Sequence, residues 1–304
     1  MITRKELTAL QSAAGKGQAE AQNQLGTLHL KGEGVPKDDK EAMKWFRLAA
    51  DQGNAVAQQN LGMMYYQGKG APKNGAQAVK WFQLAAEQGA VNAQYNLGVI
   101  FEAGKLVPKD ERAAVKWYRL AADQGNANAQ LNLGMLHRKS KGEVQDDQEA
   151  LKWLRLAAGQ GLALARFNLG LLYEGGHGVT RDYTQAMKWL RLAADQGLAL
   201  AQFNLCVLYG EGKGVPQDDR EAANWCRMAA EQGNALAQLT LGSMFAQGKG
   251  VAEDHLQAYM WLELAATQGN ALAVERRDYL SEAMNPSQLA QAQSRARQWK
   301  PVIR

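Results

Sequence analysis

The sequence predicts an all-α fold: a right-handed α-solenoid of seven 36-residue helix-turn-helix repeats, with capping helices at both ends. Three observations predict it. Tryptophan recurs at positions 45, 81, 117, 153, 189, 225 and 261, a step of 36 residues each time, and only Trp299 stands outside the series. Each unit carries two apolar stripes of helical period. The stripes are punctuated at fixed places by a capping residue and by glycine.

Residues 1–17 match only the second half of a unit, with Ala13, Ala14 and Gly17 in register with Ala49, Ala50 and Gly53. A capping helix is expected there, because a terminal repeat needs its outer face covered. Residues 18–269 hold the seven units. In the first helix of the opening unit Ala21, Leu25, Leu28 and His29 fall at i, i+4, i+7 and i+8. Leu25 recurs as Leu61, Leu97, Leu133, Leu169, Leu205 and Leu241. Gly26 recurs as Gly62, Gly98, Gly134, Gly170 and Gly242, with Cys206 in the sixth slot.

A glycine-rich loop follows, Gly32-Glu33-Gly34 in the first unit. It lacks the third glycine of a dinucleotide fingerprint and the Gly-Lys-Ser or Gly-Lys-Thr of a phosphate loop. It returns as Gly68-Lys69-Gly70, Gly176-His177-Gly178, Gly212-Lys213-Gly214 and Gly248-Lys249-Gly250, with drifted copies at Gly104-Lys105-Leu106 and Ser140-Lys141-Gly142. A loop repeated at one period is a structural joint.

The second helix is announced by Asp38, Asn74, Asp110, Asp146, Asp182, Asp218 and Asp254. Glu41, Gln77, Glu149, Gln185, Glu221 and Gln257 stand three residues after six of these, which predicts reciprocal capping boxes. Ala42, Trp45, Phe46 and Ala49 then form the buried stripe, and Gly53 suits the left-handed position past the helix end. Gly26 and Ala42 are expected where paired helices touch. Trp45 is expected to fill space between units. Residues 270–304 break the pattern, with Arg277 and Asp278 in the Leu and Gly slots. Asn285-Pro286-Ser287-Gln288 opens a last capped helix, with Leu289, Ala292, Ala296 and Trp299 on its buried face.

The units resemble the Sel-one-like repeats (SLR), a subclass of tetratricopeptide-type α-solenoids. Ala57, Gln58, Asn60, Leu61, Gly62, Tyr65, Gly68, Lys69, Gly70, Ala78, Trp81, Phe82, Ala85, Ala86, Gln88 and Gly89 carry the likeness. The resemblance implies protein–protein interaction, as in adaptors of signalling, envelope and secretion assemblies. In some bacterial members it implies toxin-neutralising immunity proteins. Many members are exported, and some carry a disulfide in each repeat. This chain has only Cys206 and Cys226, and both are expected as free buried thiols because their slots serve different contacts.

Catalysis finds no constellation. His29 and His137 take the slot of Tyr65, Tyr173 and Tyr209. His177 sits inside a joint, and His255 follows a cap. No two-ligand metal spacing appears, and acid pairs such as Asp38-Asp39 and Asp218-Asp219 lie side by side at helix starts. Neither cofactor nor metal is expected. The net charge of +5 comes from 35 basic and 30 acidic residues, a mixed surface that does not imply nucleic acid. The recurrent pairs Lys44 and Arg47, Lys116 and Arg119, Lys152 and Arg155, and Lys188 and Arg191 are expected on a solvated face away from tryptophan. RNA binding by helical repeats is the third reading.

The first reading is a non-catalytic adaptor, expected as a monomer, that holds another protein in the concave groove of its first helices. The alternative is an immunity protein that binds and neutralises a toxin enzyme. Groove positions are those that change from unit to unit two residues before, two after and five after the repeated leucine. The candidates are Met63, Tyr66, Tyr95, Val99, Glu102, Leu131, Met135, Arg138, Phe167, Leu171, Glu174 and Phe203. Aromatic anchors with a charged edge suit a peptide or helix. No apolar run reaches the length of a membrane span, and no signal peptide is visible. The cytoplasm is therefore expected, or the periplasm or exterior if a leader has been removed.

Overall fold

The computed structural model describes residues 2–140 and 144–302. Lys141 and Gly142 of the drifted fourth joint lie outside the described residues. The described residues form seventeen α-helices and no strand. The chain divides into two compact units, Met1–Asp146 and Asp147–Arg304. The first holds α1 (Arg4–Gly15), α2 (Ala19–Lys31), α3 (Asp39–Asp51), α4 (Ala55–Gln67), α5 (Gly75–Glu87), α6 (Val91–Ala103), α7 (Glu111–Asp123) and α8 (Ala127–Lys139). The second holds α9 (Asp147–Gly159), α10 (Ala163–Gly175), α11 (Tyr183–Ala194), α12 (Ala199–Glu211), α13 (Asp219–Glu231), α14 (Ala235–Gln247), α15 (His255–Thr267), α16 (Ala271–Glu282) and α17 (Pro286–Gln298).

Within each unit each helix packs on the next, except that α17 passes over α16 and packs on α15. The closest approach inside a repeat is set by the first-helix glycine. A Cβ on Gly26 would lie 2.8 Å from the Phe46 ring and 3.2 Å from the Ala42 carbonyl, so only glycine lets α2 and α3 meet. Trp81, Trp117, Trp153, Trp225 and Trp261 are buried, whereas Trp45 and Trp189 are half-buried. The joint glycines have separate tasks. Gly68 ends α4 at φ +76°, and Gly70 lies so close to α3 that a Cβ would meet the Asp39 carbonyl oxygen at 2.5 Å.

The expected reciprocal capping boxes do not form at α3, α5, α11, α13 and α15. Asp38 accepts from the Lys40 and Glu41 amides, and Asp110 and Asp182 accept from Ala113 and Gln185. The return bond is redundant, because the cap amide is already used. Asp38 N–H donates to the His29 carbonyl at 3.0 Å, and the same bond joins Asn74 to Tyr65, Asp182 to Tyr173 and Asp254 to Phe245. Both halves of the box occur at the ends of the chain, Thr3 with Glu6 and Asn285 with Gln288.

A relay of buried glutamines ties repeat to repeat. Gln58 Nε2 donates to the Ala50 carbonyl at 3.2 Å, and Gln58 Oε1 accepts from Gln88 Nε2 at 2.8 Å. Gln22 with Gln52, Gln94 with Gln124, Gln202 with Gln232 and Gln238 with Gln268 repeat the arrangement. Arg166 takes the glutamine slot in the second unit. It still donates to the Ala158 carbonyl, at 3.2 Å, but a guanidinium accepts nothing. Gln196 therefore turns to the Gly161 carbonyl, at 2.9 Å.

Two further expectations are corrected. The basic pairs do not point away from tryptophan. Lys44, Lys80, Lys116, Lys152 and Lys188 hold their ammonium groups 4.5–5.8 Å from the ring centroid of the following tryptophan. Arg47 and Arg155 bond the hydroxyls of Tyr65 and Tyr173 in the next first helix. A long side chain covers apolar ring surface while its charge stays wet. The two cysteines do not serve different contacts either. Cys206 and Cys226 are free and buried, and the Gly and Phe slots they occupy face one another within one repeat.

Candidate functional site

First helices lie side by side within a unit, as the bond from Asn60 Nδ2 to Asn23 Oδ1 at 3.1 Å shows for α4 and α2. This places the varying first-helix positions in rows. Eight of the twelve candidates belong to the first unit and four to the second. Leu131 is buried, at 7% exposure, and the other eleven are half-buried. In the first unit Met63 and Tyr66 rest against the core around Phe82 and Leu97. Tyr95 lies 6.0 Å from the Tyr118 ring, and Glu102 accepts from the Tyr118 hydroxyl at 2.7 Å. In the second unit Phe167 and Phe203 rest against the core that contains Leu205 and Trp225. Burial raises the Glu174 carboxyl above the usual carboxylate range, with Lys213 opposing the shift.

The histidines serve the joints. His29 and His137 place Nδ1 at 3.4 and 2.8 Å from the carbonyls of Pro36 and Val144. His177 lies 3.9 Å from Asp147, and His255 3.1 Å from Glu253. Among the described residues no group of three or more His, Cys, Asp or Glu side chains is placed to hold a metal ion. No described helix is long and apolar enough to cross a membrane.

The second unit has a further row, outside the twelve candidates. Leu164, Leu200, Leu236 and Leu272, the second residues of α10, α12, α14 and α16, are 38–53% exposed. The same slot in the first unit holds Glu20, Val56, Asn92 and Asn128. Tyr279, two turns further along the same face of α16 as Leu272, is 79% exposed. Setting the repeats one above another would have displayed the row. Slots nearer the repeated leucine mask it, because apolar residues there also serve packing.

The Sel1 repeat family model matches residues 19–54, 55–89, 91–126, 127–162, 163–198, 199–234 and 235–270. The chain belongs to the Sel1 repeat family. Among solved Sel1 repeat structures it is 36% identical to c5321, a protective antigen of uropathogenic Escherichia coli with an SLR fold. That match has a TM-score of 0.84 and covers 95% of this chain but only 62% of that one. It is 40% identical to a Sel1 repeat protein from Oxalobacter formigenes, with a TM-score of 0.76, over 91% of this chain and 80% of that one. The immunity protein Pa5087 from Pseudomonas aeruginosa is 22% identical with a TM-score of 0.38, covering 70% of this chain and 81% of that one, too remote to bear on function. No functionally curated protein matches the chain.

Proposed function

We propose that this Sel1 repeat chain is a non-catalytic protein-interaction module that binds its partner through the faces of its first helices. One observation carries the reading. The slots that build the helix pair are fixed and buried, as Leu61, Gly62, Ala78 and Ala85 are, while the neighbouring slots on the same helices change from repeat to repeat and keep part of their surface in water. Positions free of packing duty are where a repeat array sets its specificity. Half-buried aromatics such as Tyr95 and Phe167 offer area at little entropic cost.

The test is capture of partners by the full chain, compared with Tyr95→Ala, Phe167→Ala and Phe203→Ala. A captured partner should lose roughly tenfold in affinity or more at one or two of these. Glu87→Ala, at the exposed end of α5, is the control. Lys152 and Arg155 are unsuitable as controls, since they hold Trp153 and Tyr173. A partner indifferent to every first-helix variant but lost with Leu156→Glu, at an exposed position of α9, would place the working surface on the second helices.

A further inference from the structure

Gly210 has no packing reason to be glycine. It lies inside α12, outside the left-handed region, and a Cβ there would meet only the Ala222 Cβ, at 3.8 Å. By contrast, a Cβ at Gly26, Gly62, Gly98, Gly170 or Gly242 would come within 2.4–2.9 Å of the facing side chain. Glycine weakens a helix interior relative to alanine. The same slot elsewhere holds Leu30, Tyr66, Glu102, Arg138, Glu174 and Ala246.

Gly210 lines a cleft of about 430 Å³ with apolar walls from Val207, Leu239 and Leu272 of α12, α14 and α16, and with Glu211, Asp219 and Lys249 at its edge. A second cleft of about 600 Å³ adjoins it, lined by Ala246, Leu262 and Tyr279. Ser243, Gln247 and Arg276 line both and so form the wall between them. Both volumes are in the range of ligand pockets.

The charge on that wall is unanswered. Asp219 is met by Lys249 at 3.4 Å and Glu211 by Lys213 at 2.7 Å. Arg276 Nη1 donates instead to the Ser243 hydroxyl, at 2.6 Å, and Arg276 has no ion pair among the described residues. Glu275 is the carboxylate in the lining of the outer cleft, which His255 also shares. An exposed guanidinium between two apolar clefts is matched by a carboxylate between two apolar side chains.

We propose that α12, α14 and α16 take a peptide segment of a partner protein that sets a carboxylate on Arg276 between two apolar side chains, one in the space left at Gly210 and one against Tyr279. This rests on the reading of the chain as a protein-interaction module and narrows it to one place and one segment chemistry.

The experiment selects peptides from a random phage-displayed library on the full chain. The enriched peptides are then synthesised with a fluorescein label, and binding is measured by anisotropy. The enriched sequences should carry Asp or Glu flanked by apolar residues. Their Kd should rise at least tenfold with Arg276→Ala and at least tenfold with Gly210→Leu, which fills the first cleft, with circular dichroism unchanged. If Gly210→Leu disturbs the fold, Arg276→Ala and Tyr279→Ala decide. Peptides without an acidic residue, or indifferent to Arg276→Ala, overturn the proposal. If they lose affinity with Tyr95→Ala or Phe167→Ala instead, the interaction module stands and only this site falls. No enrichment also overturns it, leaving partner capture to judge the broader reading. A dimer in sedimentation that Gly210→Leu dissolves would make the occupant a second copy of the chain, against the proposal.

Discussion

The Tyr118 hydroxyl donates to the Glu102 carboxylate at 2.7 Å, from the second helix of its repeat back to the first. Tyr118 stands in the slot of Phe46 and Phe82, packed against Gly98, and Asn132 Nδ2 donates to its oxygen at 3.2 Å. Burial and then the Glu102 contact push the phenol far above its ordinary pKa, so it remains a donor at any working pH. Glu102 therefore has an internal partner at the edge of the first-helix surface.

That pair should be coupled energetically. Tyr118→Phe restores the residue of neighbouring repeats but leaves a half-buried carboxylate without its donor, at a cost of about 1–2 kcal/mol. With Glu102→Gln as the second arm of a double-mutant cycle, urea unfolding should give a coupling of about 1 kcal/mol. Strict additivity would show that the contact contributes nothing to stability.

The glutamine relay gives a contrast between two glutamines. Gln58→Leu keeps bulk but strips a donor from the Ala50 carbonyl and an acceptor from Gln88, and should cost about 1–3 kcal/mol. Gln196→Ala removes one exposed bond to the Gly161 carbonyl and should cost less than about 0.5 kcal/mol. Equal effects in chemical denaturation would remove the relay from the forces joining repeats.

The legible part of this fold is what recurs. Trp45 to Trp261 fixed the period, Asp38 and its equivalents the helix starts, and Gly26 with Ala42 the close helix pairing, each because one steric or hydrogen-bonding demand returns every 36 residues. What escaped depended on a partner distant in sequence. Whether Glu41 bonds back to Asp38 turns on the His29 carbonyl, and whether Lys44 faces water or Trp45 turns on rotamers. The candidate surface was less legible still. Half-buried Tyr95 and buried Leu131 share the same slot, and exposure there depends on how neighbouring helices lie. The register already sets Gly210 apart from the packing glycines, but the open space beside it is visible only once the neighbouring helices are placed.

Tryptophans should differ in reach. Trp153 is 2% exposed, donates from Nε1 to Glu149 at 2.9 Å and carries Lys152 over its ring. Trp153→Ala should cost about 3–5 kcal/mol and lower the global transition. Trp299 is half-buried and meets Trp261 edge-on at 6.1 Å, and the tail beyond it is tied by Val302 N–H to the Glu231 carbonyl at 2.8 Å. Trp299→Ala should release hydrogen-exchange protection in α17 while leaving α3 and α5 unchanged. Global loss from both substitutions would contradict a stack in which each repeat contacts only its neighbours.

The cysteine pair should behave as one packing unit. Where other repeats set a glycine against an aromatic or leucine ring or branch, this one sets Cys206 against Cys226, a larger residue facing a smaller one. The Cys206 thiol beside it and then burial hold the Cys226 thiol far above its ordinary pKa, and Cys226 donates to the Ala237 carbonyl at 3.4 Å. Thiolate is the reactive form, so an aromatic disulfide reagent should scarcely modify the native protein. Unfolding in urea without reductant should release two thiols, and finding none would show that the pair closes to a disulfide. The packing itself can be tested by restoring the common pattern. Cys226→Phe alone drives a ring into the Cys206 side chain and should cost about 1–3 kcal/mol. Adding Cys206→Gly removes the clash and should recover most of that loss. A double variant no more stable than the single would mean that the two slots do not face each other.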